Sequence, residues 1–288
     1  MHTDSIFTIG SSHKACEDYA ASGILKDFDV SWAALSDGCS SSPQVDFGAR
    51  LLVGAARKHI WDVVSSTNGE LLNSLYSEST YTPIIINLEN ICKSLRYDTN
   101  CLDATLLTAV CGKQKTKIIC WGDGVIVVKK KDGTSRIIEI EASDGYPSYL
   151  SYNFYKDRIM DMRRAEKNII VRDYHLESNG IFYAPVTTLQ EFFTPYVLEM
   201  NTEDLKFVLL MSDGVQSFYN VNPDDCGRKA QPVSFITIVK ELMAFKNFQG
   251  EFVQRRFNKV LKEANVNQWE HYDDLSVAGI YLGEKKNG

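Results

Sequence analysis

Short apolar runs ending in turn-forming clusters open the chain. Residues 5–9, 19–25 and 30–35 read as strands, and the last runs into Ser36-Asp37-Gly38. Behind Asp46, an N-cap residue type, Phe47, Leu51, Leu52, Ala55, His59, Ile60 and Val63 recur at helical spacing. A polar connection over 67–82 leads to a second amphipathic helix over 83–96, marked by Ile84, Leu88, Ile91, Cys92 and Leu95. Four strand patterns follow at 104–111, 117–121, 125–130 and 136–141. Asp132-Gly133 reads as a type I′ hairpin turn between the last two, so the pairing is antiparallel. Residues 142–202, with Pro147, Pro185 and Pro195, lack a clean period and read as an irregular insert or flap. Beyond them come a strand at 207–211 entering Ser212-Asp213-Gly214, helical patterns at 233–245 and 252–264, and a closing strand at 275–282. With no repeat or linker in view, residues 1–288 read as one α+β domain, antiparallel strands inside and helix pairs outside.

Composition narrows the function classes. The chain has 288 residues, 44% apolar and 24% charged, which suits a soluble globule long enough to bury a core without disulfides or a structural metal. Its net charge of −6 offers no field for a phosphate backbone, so nucleic acid is not an expected partner. The seven cysteines include no C-x-x-C pair and read as reduced core residues of a cytoplasmic protein. No leader pattern or bilayer-length apolar run appears, so neither export nor a membrane is expected, and the chain is expected to act as a monomer.

The candidate chemistry lies where strands end. Three apolar runs terminate in Asp37-Gly38, Asp123-Gly124 and Asp213-Gly214; Asp273-Asp274 opens the last strand, and Glu17-Asp18 precedes an early one. Carboxylates gathered at neighbouring strand tips repel unless a divalent cation sits among them. Oxygen donors without histidine or thiolate company select Mg²⁺ or Mn²⁺ over Zn²⁺. Asp132-Gly133 and Asp144-Gly145 are better read as plain turns. The five histidines have no metal spacing; His59 reads as packing and His13 as the one with a role. The tyrosines between Tyr146 and Tyr155 suit either a substrate-side flap or an ordinary surface.

Taken in order, these residues resemble the motifs of the protein phosphatase 2C family. They are the stretch from His13 to Tyr19 with Glu17-Asp18, Leu35-Ser36-Asp37-Gly38 with Phe47-Gly48-Ala49-Arg50, Asp103-Ala104-Thr105-Leu106, Gly122-Asp123-Gly124, Leu210-Met211-Ser212-Asp213-Gly214 and Asp273-Asp274-Leu275. Gly10-Ser11-Ser12-His13 is most similar to the entry motif of the bacterial branch. The resemblance implies a four-layer α-β-β-α sandwich of two antiparallel sheets. It also implies a metal-dependent serine/threonine phosphatase with two Mn²⁺ or Mg²⁺ ions, acting on phosphorylated proteins by direct attack of a metal-bridging water. Carried over, Asp37 bridges both ions, Gly38 offers its carbonyl, Asp213 and Asp273 ligate one metal, and Glu17 and Asp18 hold metal-bound waters. Asp123 joins the metal set.

Four positions depart from the family pattern. His13 stands where many members place a phosphate-holding arginine, so phosphate binding is weaker or shared. Cys39 replaces the histidine that follows the first Asp-Gly in eukaryotic members. Ser217 replaces the acid four residues beyond Asp213, which weakens the case for a third ion. Asp274, usually Asn, reads as a strand-start residue capping local backbone. A cysteine-dependent phosphatase is excluded because no Cys is followed six residues on by Arg. The Asp27-Phe28-Asp29 run precedes its apolar strand rather than ending one, against an aspartyl-phosphate enzyme, and nucleotide-binding glycine loops are missing. The rival that remains is a weak or inactive phosphatase-fold module that binds phosphoproteins in a regulatory role.

Overall fold

The computed structural model of the chain describes residues 1–67, 78–143, 145–154, 160, 167–221 and 230–284. Its larger sheet contains β1 (His2–Thr8), β6 (Gly124–Lys130), β7 (Ser135–Ala142), β8 (Asn168–Leu176), β9 (Val186–Glu191), β11 (Leu205–Met211) and β15 (Leu275–Tyr281). Their order is β1-β15-β11-β6-β7-β8-β9, every pair antiparallel. The second sheet contains β2 (Tyr19–Leu25), β3 (Val30–Ser36), β4 (Leu106–Cys111), β5 (Lys115–Trp121) and β10 (Tyr196–Asn201), in the order β10-β5-β4-β3-β2.

Three apolar layers hold this arrangement together. Strand β3 is buried along its whole length because its alternating side chains serve two of them. Ala33 and Leu35 face inward to Leu107, Ile126, Ile138 and Leu210, the layer between the sheets. Trp32 and Ala34 face outward to Leu52, Ala56 and Ile60 of α1 (Val45–Ser66) and to Ile85, Leu88 and Cys92 of α2 (Glu78–Leu95). On the far side, α3 (Phe235–Met243) and α4 (Phe252–Val266) set Ile238, Leu242, Phe252 and Phe257 on Val127, Leu209 and Val277. The result is the expected α-β-β-α sandwich. Each such fully buried aliphatic or aromatic side chain contributes roughly 1.5–3 kcal/mol.

Several expectations from the sequence need correction. Asp46 does not cap α1: the cap position is Gln44, at φ 57°, and Asp46 lies in the first turn, where its charge suits the helix dipole. Helix α2 starts at Glu78, five residues early. In the β6–β7 hairpin Gly133 is left-handed (φ 93°) but Asp132 is not, so the turn is not type I′. Asp132 Oδ1 instead accepts from the Thr134 backbone N–H (2.8 Å) and hydroxyl (2.7 Å), a local bond that replaces the second left-handed residue. Residues 142–202 are not irregular throughout, since β8, β9 and β10 extend both sheets. Their signal was faint because β9 is an edge strand, with Val186 60% and Leu189 66% exposed, so polar and apolar positions do not alternate by burial. A third sheet of β12 (Phe218–Asn220), β13 (Gln231–Pro232) and β14 (Trp269–His271) has strands too short to leave a pattern. The six described cysteines are free thiols, four of them buried; Cys226 and Asp144 lie outside the described residues.

Candidate functional site

Antiparallel registers bring several chain reversals to one end of the sandwich. Tyr19 pairs with Ser36, Leu35 with Leu107, Leu106 with Trp121, and Met211 with both Val125 and Val277. The residues just outside these pairs are Asp18, Asp37, Asp123, Asp213 and Asp273.

Each acid is held by its own local structure. The Asp37 N–H donates to Thr105 Oγ1 (2.9 Å), and the Thr105 N–H donates to the Asp37 carbonyl (2.8 Å), so the end of β4 clamps the end of β3. Gly38 continues this contact as an isolated bridge to Ala104, and a Cβ there would lie 2.7 Å from Val45 Cβ. Asp18 is fully buried; its Oδ2 accepts from Ser212 Oγ (2.7 Å), and that oxygen accepts from the Ser276 N–H (2.9 Å). Asp123 sits between left-handed Gly122 (φ 88°) and Gly124 (φ 140°). Asp213 opens a single 3₁₀ turn, Asp213–Gln216. A Cβ on Gly214 would lie 1.8 Å from the Asp274 carbonyl oxygen, so glycine is what lets this turn rest on the strand start that carries Asp273.

These acids feel one another. Burial pushes Asp37 well above the usual carboxylate range, followed by the charges of Asp18, Asp213 and Asp123. Burial raises Asp123 well above that range too, ahead of Asp213 and Asp273. Asp18 is pushed up to about 7, mainly by burial and against the hydrogen bond from Ser212. Asp273 rises through burial and then Asp213. Asp213 is the common neighbour of all four.

The chemistry of this donor set suits a hard divalent cation. Every side-chain ligand candidate in the cluster is a carboxylate, and the buried Oδ1 atoms of Asp18 and Asp213 lack a hydrogen-bond partner. Among the described residues no three His, Cys, Asp or Glu side chains are arranged as a ready ion cage. Asp37 instead has Asp18, Asp213 and Asp123 as its charged neighbours, and protons compete with a cation for such oxygens.

Residues 10–262 match the family model of protein phosphatase 2C. The chain belongs to the protein phosphatase 2C family. Solved structures agree on the fold. A bacterial serine phosphatase aligns over 99% of this chain and 99% of its own, with a TM-score of 0.56 at 12% identity. The serine/threonine phosphatase Stp1 of Staphylococcus aureus aligns over 98% and 96%, with 0.53 at 12% identity. That of Mycobacterium tuberculosis, PstP, aligns over 97% of each chain, with 0.52 at 16% identity. At such identities the likeness establishes the fold alone. No curated protein matches the sequence.

The remaining phosphatase-family positions have specific neighbours. His13 lies against two carboxylates, Nε2 3.3 Å from Asp273 Oδ1 and Nδ1 3.1 Å from Asp274 Oδ2. These acids raise its pKa despite the opposing effect of burial. Glu17 is nearby, with its Oε2 accepting from Ser40 Oγ (2.6 Å). Asp274 does organise backbone, but of a distant loop: its Oδ1 accepts from the Gly10 N–H (2.8 Å) and its Oδ2 from the Glu17 N–H (2.5 Å). Ser217 stitches turns, donating to the Gly214 carbonyl (2.8 Å) and accepting from the Asp273 N–H (3.2 Å).

One neighbour had no signal in the sequence beyond a cluster of tyrosines. Tyr149, 5% exposed, packs with Tyr152 and Phe192 over Cys39, and its hydroxyl lies within the influence of that thiol, Asp123 and Asp37. Burial and those acids raise its pKa. Asp103 anchors the same segment, accepting from Ser151 Oγ (2.8 Å) and Ser42 Oγ (3.2 Å). A groove of about 480 Å³ between α1 and α2, lined by Leu51, Ala55, Ile84, Leu88 and Ile91 among others, lies outside the acid cluster and has no such carboxylate set.

Proposed function

We propose that the chain is a single-domain, metal-dependent phosphatase that hydrolyses phosphoserine and phosphothreonine in proteins. The observation that carries this reading is the convergence of Asp18, Asp37, Asp123, Asp213 and Asp273, acids distant in sequence; burial and the neighbouring acids, Asp213 among them, resist ionisation of Asp18, Asp37, Asp123 and Asp273. A dianionic phosphate does not approach such a cluster unaided. Two Mn²⁺ or Mg²⁺ ions, when bound, supply the positive charge that holds a phosphoryl group and lower the pKa of a water for in-line attack. Asp37, Asp213 and Asp273 are the proposed ligands, with the Gly38 carbonyl; Glu17, Asp18 and Asp123 complete the acidic shell.

The chain's own residues do the remaining work. Thr105 fixes the Asp37 backbone from both sides, and Ser212 aims Asp18, so these oxygens are oriented before any ligand arrives. Tyr149 and its aromatic partners pack against Cys39 on the Asp37–Asp123 side. His13, engaged with Asp273 and Asp274, stands at the rim where a phosphate oxygen approaches. No described helix is long and apolar enough to cross a membrane.

The test is hydrolysis of p-nitrophenyl phosphate and of phosphoserine and phosphothreonine peptides with and without Mn²⁺. Activity that requires Mn²⁺, ends with chelator and is lost in Asp37→Asn supports the reading. Mn²⁺ binding without turnover on any substrate favours the rival, a phosphoprotein-binding module, for which Cys39 and the engaged His13 speak.

A further inference from the structure

A buried polar network stands directly behind the turn that carries Asp213. Glu139 on β7 is 6% exposed and is met on every side. Its Oε1 accepts from Gln216 Nε2 (3.0 Å), its Oε2 accepts from the Tyr174 hydroxyl (3.0 Å), and Arg172 Nη1 lies 3.3 Å from Oε2. Arg172 also binds Glu141 (2.6 Å).

The sheet register explains why this network reaches the turn. Met211, Val125, Glu139 and Arg172 form one lateral row across β11, β6, β7 and β8. The chain leaves β11 just after Met211, and Gln216, the last residue of the Asp213–Gln216 turn, comes back over Glu139 in that row. A single 3₁₀ turn has little internal hydrogen bonding to fix it. Gly214 is pressed on the Asp274 backbone, and the Gln216 side chain is the tether on the sheet side. Tyr174 in turn stacks on Phe182 (5.5 Å) and meets Phe235 of α3 edge-on (5.7 Å). Burying the Glu139 carboxylate is costly even with the partly exposed Arg172 guanidinium beside it, and an apolar cluster of the same shape would hold the sheet as well, so stability alone does not account for it.

We propose that Glu139, Arg172, Tyr174 and Gln216 form a positioning network that sets the turn bearing Asp213 and thereby the affinity of the acid cleft for a divalent cation. This rests on the metal-dependent reading above. None of the four touches substrate or ion; they act through Gln216 on the geometry of Asp213.

The experiment measures Mn²⁺ binding by titration calorimetry on the full chain, with thermal melting of the metal-free protein alongside. Gln216→Leu removes the donor that forms the tether, Glu139→Gln removes the charge at constant shape, and the double variant tests coupling. The expected result is Mn²⁺ binding weakened about 10-fold in Gln216→Leu, with metal-free melting little changed, and a double variant no weaker than the worse single one. Wild-type affinity in both single variants overturns the inference while leaving the metal reading intact. Fully additive losses overturn the claim that the residues act as a unit. Failure of the wild-type chain to bind Mn²⁺ overturns the metal reading itself, and the inference with it.

Discussion

Two groups of carboxylates near one end of the seven-stranded sheet have different surroundings. Glu139 has a guanidinium, a phenol and an amide within 3.3 Å, so its charge is answered by the chain itself. Asp37 and Asp123 have other acids as their main charged neighbours, and Asp213 and Asp18 each keep a buried oxygen without a partner. An acid satisfied from within builds structure, whereas acids left facing each other make a receptor for positive charge.

The strongest test of that contrast is Asp213→Asn. With phosphatase turnover established, it should lower Mn²⁺-dependent hydrolysis by about 10³-fold, or ~4 kcal/mol of transition-state stabilisation. The metal-free protein should melt no lower, because the substitution removes an acid whose presence raises the pKa of four neighbours. A large loss of metal-free stability would place Asp213 in the same class as Glu139 and erase the distinction.

Next in size is the pH response. In the unfolded chain Asp18 loses its proton near 3.8, and in the fold it keeps it to about 7. Across that window the native state binds the extra proton, so the metal-free protein is most stable on the acid side and weakens as pH rises towards 7. The effect is on the order of a few kcal/mol. Urea midpoints at pH 5 and pH 8 measure it. Asp18→Asn should reduce the difference, leaving the part carried by the raised Asp37 and Asp123, and Mn²⁺ should reverse it by favouring the deprotonated acids; an unaltered slope in Asp18→Asn would refute the assignment.

The acids of the cleft were legible in the sequence because strand ends announce themselves: an apolar run followed by Asp-Gly is visible without coordinates, and antiparallel pairing then brings the tips together. Asp274 was legible only as a strand-start cap, since nothing local indicates that its partners are Gly10 and Glu17. The Glu139 network was invisible. Its members occupy positions 139, 172, 174 and 216, and only the register of β6, β7, β8 and β11 aligns them. The same holds for Tyr149, brought to Cys39 by a segment with no helical or strand period. For β9, an exposed edge blurred the alternation that identifies a strand.

Arg172→Met sharpens the comparison from the other side. It leaves Glu139 buried with its hydroxyl and amide donors but without the guanidinium. The expected cost is roughly 2 kcal/mol, below the range for a fully buried pair because the Arg172 side chain is 29% exposed and partly hydrated. Urea denaturation of metal-free protein measures it. Unchanged stability would mean that Tyr174 and Gln216 alone satisfy the carboxylate.

The smallest effect is expected at Asp274, which belongs to both regions: it neighbours the cleft acid Asp273 yet is satisfied from within like Glu139. Asp274→Asn keeps one acceptor oxygen and turns an NH₂ towards the other backbone N–H. The Gly10 loop is held independently, since the Ser11 and Ser12 N–H groups donate to the His271 and Tyr272 carbonyls (both 3.1 Å). Glu17 depends more on Asp274, whose Oδ2 receives its N–H at 2.5 Å. Losing one such bond costs about 1 kcal/mol, which corresponds to roughly 5- to 10-fold faster amide exchange at Glu17 with Gly10 little altered. Equal acceleration at both amides would show that the carboxylate holds the 10–17 segment as one unit, and no acceleration at either would remove Asp274 from the satisfied class.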